Sequence, residues 1–427
     1  MLDGSRRAGL VRAWGAGLCL CAGLAQANNG INQIGFGTES ALMAGADAAM
    51  ARDTAALNTN PAGLAHTKGG RVDVYAGAAY FMDAAHGDSL GNDRQVSNRV
   101  VPVAGLGLAQ RLGGSPVVAA AGVFVQGGAG ADFRDLRTPF GNRDDLSSLF
   151  GVGKLMAGLS WEVTQTLSLG VAVSRVMAAA EQRIFPQTSS AAPQFFGVAI
   201  DDLQASRTAF RLGAQYQVSP TLRLGAVFAN GVALPLEDGT ARVNLGAAGL
   251  GTVTYRNARV GGFGLPREIS LGAAWQATET TLLSVKVSRL GWSRALGDSV
   301  TQLSDPDNPF APATIQQVQS VTARDRTMIA VGVKHDLSDR FSAYAGFNHM
   351  KQPIDAATLS PTLAIIGEKH LTLGGVSRFG ANHQIAAGVE YLFPSKVTYS
   401  NPQVPLGSNL TGRMEYLAAH FMYSYLW

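Results

Sequence analysis

Apolar and polar residues alternate with a period of two through much of this chain. Leu283, Val285 and Val287 interleave with Ser284, Lys286 and Ser288, and Ile329, Val331 and Val333 with Ala330, Gly332 and Lys334. Phe210, Leu212, Ala214 and Tyr216 do the same with Arg211, Gly213 and Gln215, as do Ile385, Ala387, Val389 and Tyr391 with Gln384, Ala386 and Glu390. Neighbouring side chains of a strand point to opposite faces, so each stretch predicts a strand with one apolar face. Read along the chain, the alternation predicts strands at 70–82, 99–112, 115–127, 152–164, 166–180, 204–218, 220–233, 265–278, 280–293, 324–337, 339–352, 366–379, 381–397 and 412–427. Tight turns at Gly113-Gly114, Val163-Thr164-Gln165, Ser219-Pro220, Thr278-Glu279, Ser338-Asp339 and Gly380-Ala381-Asn382 separate some of them. Longer polar connections at 83–98, 128–151, 181–203, 234–264, 294–323, 353–365 and 398–411 separate the others.

An even count of about fourteen strands, with short turns at one end and long loops at the other, is the pattern of an all-β transmembrane antiparallel barrel. A soluble sandwich also alternates, but it does not need its long loops on one side. No apolar run reaches the roughly 20 residues of a membrane helix. The continuous apolar faces are therefore expected to meet lipid and the alternate faces a polar lumen.

Both chain ends fit this reading. Leu417, Ala419, Phe421, Tyr423, Tyr425 and Trp427 share one face of the last strand. A final aromatic strand is expected to close the barrel against the first strand and to be the segment handled by the barrel-assembly machinery. At the other end, Arg6, Arg7 and Arg12 precede a short apolar run, Ala13 to Leu24, and the small-residue site Ala25-Gln26-Ala27. Residues 1–27 thus read as a secretory signal, and barrel residues 68–427 as a bacterial outer-membrane protein. Cys19 and Cys21 both fall in the signal, which leaves the exported chain without cysteine, as suits an oxidising compartment.

Composition narrows the function. Only 15% of residues are charged, 51 are Gly, and mean hydropathy is +0.10. Setting aside Arg6, Arg7, Arg12 and Asp3 leaves 31 basic and 29 acidic residues, a balance that points away from nucleic acid. Gly151-Val152-Gly153-Lys154 lacks phosphate-loop spacing, and no Cys/His cluster has metal-ligand spacing. No cofactor and no enzymatic activity are expected. An outer-membrane hydrolase would need a Ser and a His side by side, which spacing alone does not reveal.

Residues 28–67 do not read as strand. They are rich in Gly, Ala, Ser and Asn and end in Asn60-Pro61-Ala62-Gly63-Leu64. Pro61 removes a backbone donor and steers Asn60 away from helix, while an Asn side chain can bond to its own following backbone. The run Gly45-Ala46-Asp47-Ala48-Ala49-Met50-Ala51-Arg52-Asp53 followed by Asn60-Pro61-Ala62 resembles the N-terminal hatch of the FadL/OmpP1/TodX outer-membrane transporters. The resemblance extends to Leu265-Pro266 leading into 269–275, to Ala343-Tyr344-Ala345-Gly346-Phe347 with Pro353-Ile354, and to Gly367-Glu368-Lys369-His370. It departs at Met422, a place often held by Gly.

This resemblance implies a fourteen-stranded barrel plugged by residues 28–67, with Asn60, Pro61 and Ala62 in the hatch; because these three close a turn in a segment with little regular bonding of its own, they are also expected to act as a gate. It implies passive uptake of hydrophobic compounds: long-chain fatty acids first, aromatic hydrocarbons as the alternative. A general diffusion porin is the rival from another class. A monomer is expected, with outer-membrane lipid and lipopolysaccharide around it. Sideways release would need a strand that loses pairing, which Gly permits. The third predicted strand contains Gly122 and ends in Gly127, Gly128 and Gly130, so Gly122, Gly127 and Gly128 are the expected lateral opening. The inward set Lys154, Arg211, Arg223, Lys286, Lys334 and Arg378 outnumbers Glu162 and Glu390. Such an excess would favour a carboxylate head group, with Arg211, Lys286 and Lys334 as expected contacts.

Overall fold

The computed structural model describes residues 29–427, so the expected signal at 1–27 lies outside the described residues. Fourteen strands form the wall: β1 (Gly70–Gly87), β2 (Val100–Arg111), β3 (Val117–Arg137), β4 (Arg143–Glu162), β5 (Leu167–Ala191), β6 (Gln194–Ser219) and β7 (Leu222–Ala229) in the first half. The second half comprises β8 (Glu268–Gln276), β9 (Thr281–Leu290), β10 (Arg326–Asp336), β11 (Phe341–Met350), β12 (Lys369–Phe379), β13 (His383–Tyr399) and β14 (Leu410–Leu426). Each pairs antiparallel with the next. Closure comes from β14 on β1, running from Gly87↔Thr411 to Arg71↔Leu426. The ladder therefore has no free edge, the condition for a sheet to span a bilayer. Outward positions carry the apolar residues; Leu271, Leu155 and Trp275 are 65%, 52% and 50% exposed and face lipid.

Two expected loops are corrected. Residues 128–151 and 181–203 were expected as long polar connections, but β3–β4 continue their ladder to Arg137↔Arg143 and β5–β6 to Ala191↔Gln194. Ion pairs such as Arg134–Asp145 and Arg183–Asp201 span these upper hairpins. Above the membrane both faces of a strand can be polar, so alternation fades while pairing persists. Beyond β6, Leu236–Asn244, Thr252–Val260, Ser299–Pro306 and Thr314–Gln319 extend the sheet outward as paired loop strands.

Residues 29–67 lie inside the barrel. They contain one short helix, Thr38–Leu42, and two 3-10 turns, Thr54–Leu57 and Pro61–His66. Leu42, Met43, Ala56, Leu57 and Leu64 are fully buried. A segment with so little regular structure must find other partners for its backbone, and the wall supplies them. Ser284 Oγ donates to Ala46 O (2.7 Å), Asn348 Nδ2 to Ala44 O (2.9 Å), Thr372 Oγ1 to Leu42 O (2.7 Å) and Ser160 Oγ to Ala62 O (3.0 Å). Contact is close because inward wall positions are glycine. A Cβ on Gly213 would lie 2.0 Å from Asn60 Oδ1, and one on Gly225 would lie 2.1 Å from Ala48 O.

Candidate functional site

The ladder between β2 and β3 stops part-way up the wall. These strands pair from Arg111↔Val118 up to Gly105↔Phe124. Above that point residues 100–104 pair with β1, and β3 pairs with β4. The two strands meet again where Ser97 N donates to Asp132 O (2.7 Å) and Asp132 N to Asn98 Oδ1 (3.0 Å). From Gly105 to Asn98 is seven residue steps, and at ~3.3 Å each they make a gap in the ladder of about 23 Å. Its cause is a bulge: the β3–β4 register shifts between Val125 and Gly127, with Gly127 at φ 145° and Gly130 at φ 157°. L side chains rarely adopt this backbone, and the strand bends inward until residues 125–131 are buried on both faces.

Two cavities lie behind the gap. The upper one is apolar, lined by Gly128, Ala129, Ala131 and Phe133 of β3 and by Leu363 and Ile365 of the β11–β12 loop, which folds into the barrel. The lower one is polar and lies between the N-terminal segment and the wall, with Asn32, Asp47, Gln126, Arg211, Glu268 and Lys286 around it. Gln126, the bulged residue, stands between them. Its Nε2 donates to Asn32 Oδ1 (2.9 Å) and its Oε1 accepts from Asn58 Nδ2 (2.9 Å). Asn58 Oδ1 in turn accepts from Lys154 Nζ (3.1 Å). Gln33 Nε2 also donates to Val125 O at 2.8 Å, so the N-terminal segment holds the bend from inside.

The predicted residues separate on this geometry. Gly127 and Gly128 lie along the gap. Gly122 does not: it pairs with Gly107 on one side and Met156 on the other, below the last β2–β3 pair. The expectation that β3 ends at Gly127-Gly128 is also corrected, since the strand bends there and runs on to Arg137. Arg211 and Lys286 converge in the polar cavity, but both are matched. Arg211 Nη2 bonds to Glu268 at 3.0 Å, while Lys286 Nζ lies 2.9 Å from Asp47 and 3.9 Å from Glu268. Lys334 is elsewhere, paired with Asp336 at 2.9 Å beside the β10–β11 turn. Lys154, in an adjoining cavity shared with Gln126, Arg211 and Glu268, has no carboxylate within ion-pair distance among the described residues; its partner is the Asn58 amide.

Asn60, Pro61 and Ala62 form one buried turn. Asn60 Oδ1 accepts from Ala62 N (3.1 Å), and its Nδ2 donates to Ala48 O (2.6 Å) and to Ala214 O of β6 (3.1 Å). Pro61 begins the 3-10 turn, where its missing donor costs nothing. A second polar knot ties the segment to β1: Thr54 N donates to Asp73 Oδ2 (2.9 Å), which also accepts from Arg71. Beside it, burial and the Asp73 carboxylate push the Asp53 carboxyl up to about 7.

Residues 19–425 match the family model described as outer membrane protein transport protein (OMPP1/FadL/TodX). The chain belongs to this family. Like other members of it, this chain is an outer-membrane channel for hydrophobic compounds, not an enzyme. Among solved structures it resembles the Pseudomonas putida toluene transporter TodX (18% identity, 92% of this chain and 99% of that one, TM-score 0.76). It also resembles the Ralstonia pickettii toluene transporter TbuX (19%, 92% and 99%, 0.73) and a Pseudomonas aeruginosa FadL homologue (16%, 93% and 99%, 0.70). Identities this low establish the shared fold. No curated protein matches in sequence.

For this family member, sequence reading missed Glu268, Asp47, Gln126 and the inward loop at 361–365. Glu268 was accessible, since it shares strand parity with inward Ser270 and Gly272. The others were not, because period two says nothing about irregular segments or about which strand a bulge interrupts.

Proposed function

We propose that this channel carries small neutral hydrophobic molecules of monoaromatic type, accepts them in the apolar cavity behind β3 and releases them sideways between β2 and β3. The observation that carries the substrate class is the pairing of Arg211 and Lys286 with Glu268 and Asp47, which leaves little field for an anionic head group. The apolar lining from Ala129 to Ile365 and the toluene transporters among the similar structures favour the same class. Residues 29–67 act as the plug in this reading, and a lumen so filled argues against an open diffusion porin. The protein works as a monomer, folded by the barrel-assembly machinery through β14. A long-chain fatty acid is the second reading, favoured by Lys154, whose charge has only an amide partner. Purified protein is titrated with toluene and with oleate, for the wild type and for Lys154→Met. Saturable toluene binding insensitive to the substitution, with weak oleate binding, is expected. Tight oleate binding lost about ten-fold or more in Lys154→Met would replace the first reading with the second.

A further inference from the structure

The lipid-facing surface carries a second basic feature, far from the lumen cations. The β12–β13 ladder ends at His370↔Leu392, and the β13–β14 register shifts between Leu392 and Ser395. This shift throws Phe393 and Pro394 outward and leaves an open groove between β13 and the β11–β12 loop. Lys369, Phe393, Pro394, Ser395 and Lys396 line it, with Gln352 and Glu368 at its far side. Both lysines are exposed and have no ion-pair partner among the described residues. Glu368 Oε1 is occupied by the Gln352 N–H at 3.1 Å, and on the next strand Arg413 is held by Asp83 and Asp93.

Depth is set by β12 itself. Lys369 is the next outward position above exposed Leu371 and Leu373, at the end of the strand opposite the tight Gly380 turn. The lysines therefore stand at the upper edge of the apolar band, where outer-leaflet head groups begin. A lysine is costly at mid-bilayer, but near the interface that cost approaches zero. Basic pockets at this depth bind anionic lipid head groups, and exposed Phe393 and Pro394 offer apolar contact to the adjoining acyl chain. We propose that this groove is a binding site for a phosphate of an outer-leaflet lipid of lipid A type, gripped by Lys369 and Lys396. It is independent of the substrate reading above.

The test is native mass spectrometry of the detergent-purified barrel with bisphosphorylated lipid A, dephosphorylated lipid A and inorganic phosphate. The wild type should retain the phosphorylated lipid at least ten-fold more strongly than the dephosphorylated one, unaffected by millimolar phosphate. Lys369→Gln/Lys396→Gln should lose that preference and Lys369→Arg/Lys396→Arg should keep it. Equal retention of both lipids by the wild type overturns the proposal, whatever the variants do. Displacement by inorganic phosphate overturns the lipid assignment, and an unchanged preference in the Gln variant overturns the site.

Discussion

Replacing Asn60 by Ala should loosen the inner segment without unfolding the barrel. Asn60 makes three hydrogen bonds: from Ala62 N to its Oδ1, and from its Nδ2 to Ala48 O and Ala214 O. The losses differ. Ala48 O keeps the Gln215 Nε2 donor at 3.3 Å, and Ala214 is part of the β5–β6–β7 ladder. Ala62 N is left as a buried donor without a partner. At about 1 kcal/mol for each of the two compensated bonds and about 1–3 kcal/mol for the orphaned group, docking should weaken by about 3–5 kcal/mol. At about 1.4 kcal/mol per factor of ten, that is roughly a 100- to 4,000-fold shift toward the opened segment. Hydrogen exchange over residues 29–67 would measure it, beside heat-modifiable electrophoresis as the gauge of the closed barrel. Adding Pro61→Ala should deepen the effect and alter substrate uptake. Unchanged exchange would show that the turn does not hold the segment. Loss of the heat-resistant barrel would show that the turn serves assembly and not gating.

Other predictions concern the gap and the charges. Gly128→Leu should fill the space between β2 and β3, so that toluene still binds to purified protein but is no longer delivered in cells; loss of both together would refute lateral release there. Arg211→Met strands Glu268 with a cation 3.9 Å away, so folded yield should fall in line with a cost of about 3–5 kcal/mol, while Lys334→Met, outside the cavity, should leave uptake unchanged. Asp53 holds its proton in the docked segment to about pH 7 because of burial and Asp73, whereas a released segment would give it up near the ordinary value. Docking should therefore be firmest at low pH and weaken as pH rises from about 4 to 7, levelling off above. Asp53→Asn should flatten that dependence in the exchange experiment; an unaltered profile would remove Asp53 from the docking energetics.

The alternation by itself determined the barrel. All fourteen wall strands coincide with stretches where period two separates a lipid face from a lumen face, because the bilayer punishes a polar residue on the wrong side. The glycine at the middle of the inward face of strand after strand, such as Gly158, Gly170, Gly213, Gly225, Gly346 and Gly388, was equally visible in the sequence. Only the tertiary structure decided what those glycines are for: they admit the backbone of residues 29–67 and, at Gly158 and Gly388, the Leu57 and Leu42 side chains, along a path that follows side-chain bonds from many strands and no local pattern. The upper hairpins of β3–β4 and β5–β6 were read as loops because water on both faces erases the alternation while backbone pairing continues. The break in the β2–β3 ladder was half legible. Gly127 and Gly128 marked a weak strand, but a gap belongs to a pair of strands, and the point where β2 and β3 separate is a fact of register. Charge followed the same division: parity put Arg211 and Lys286 in the lumen, and only folding brought Glu268 and Asp47 within bonding distance to neutralise them.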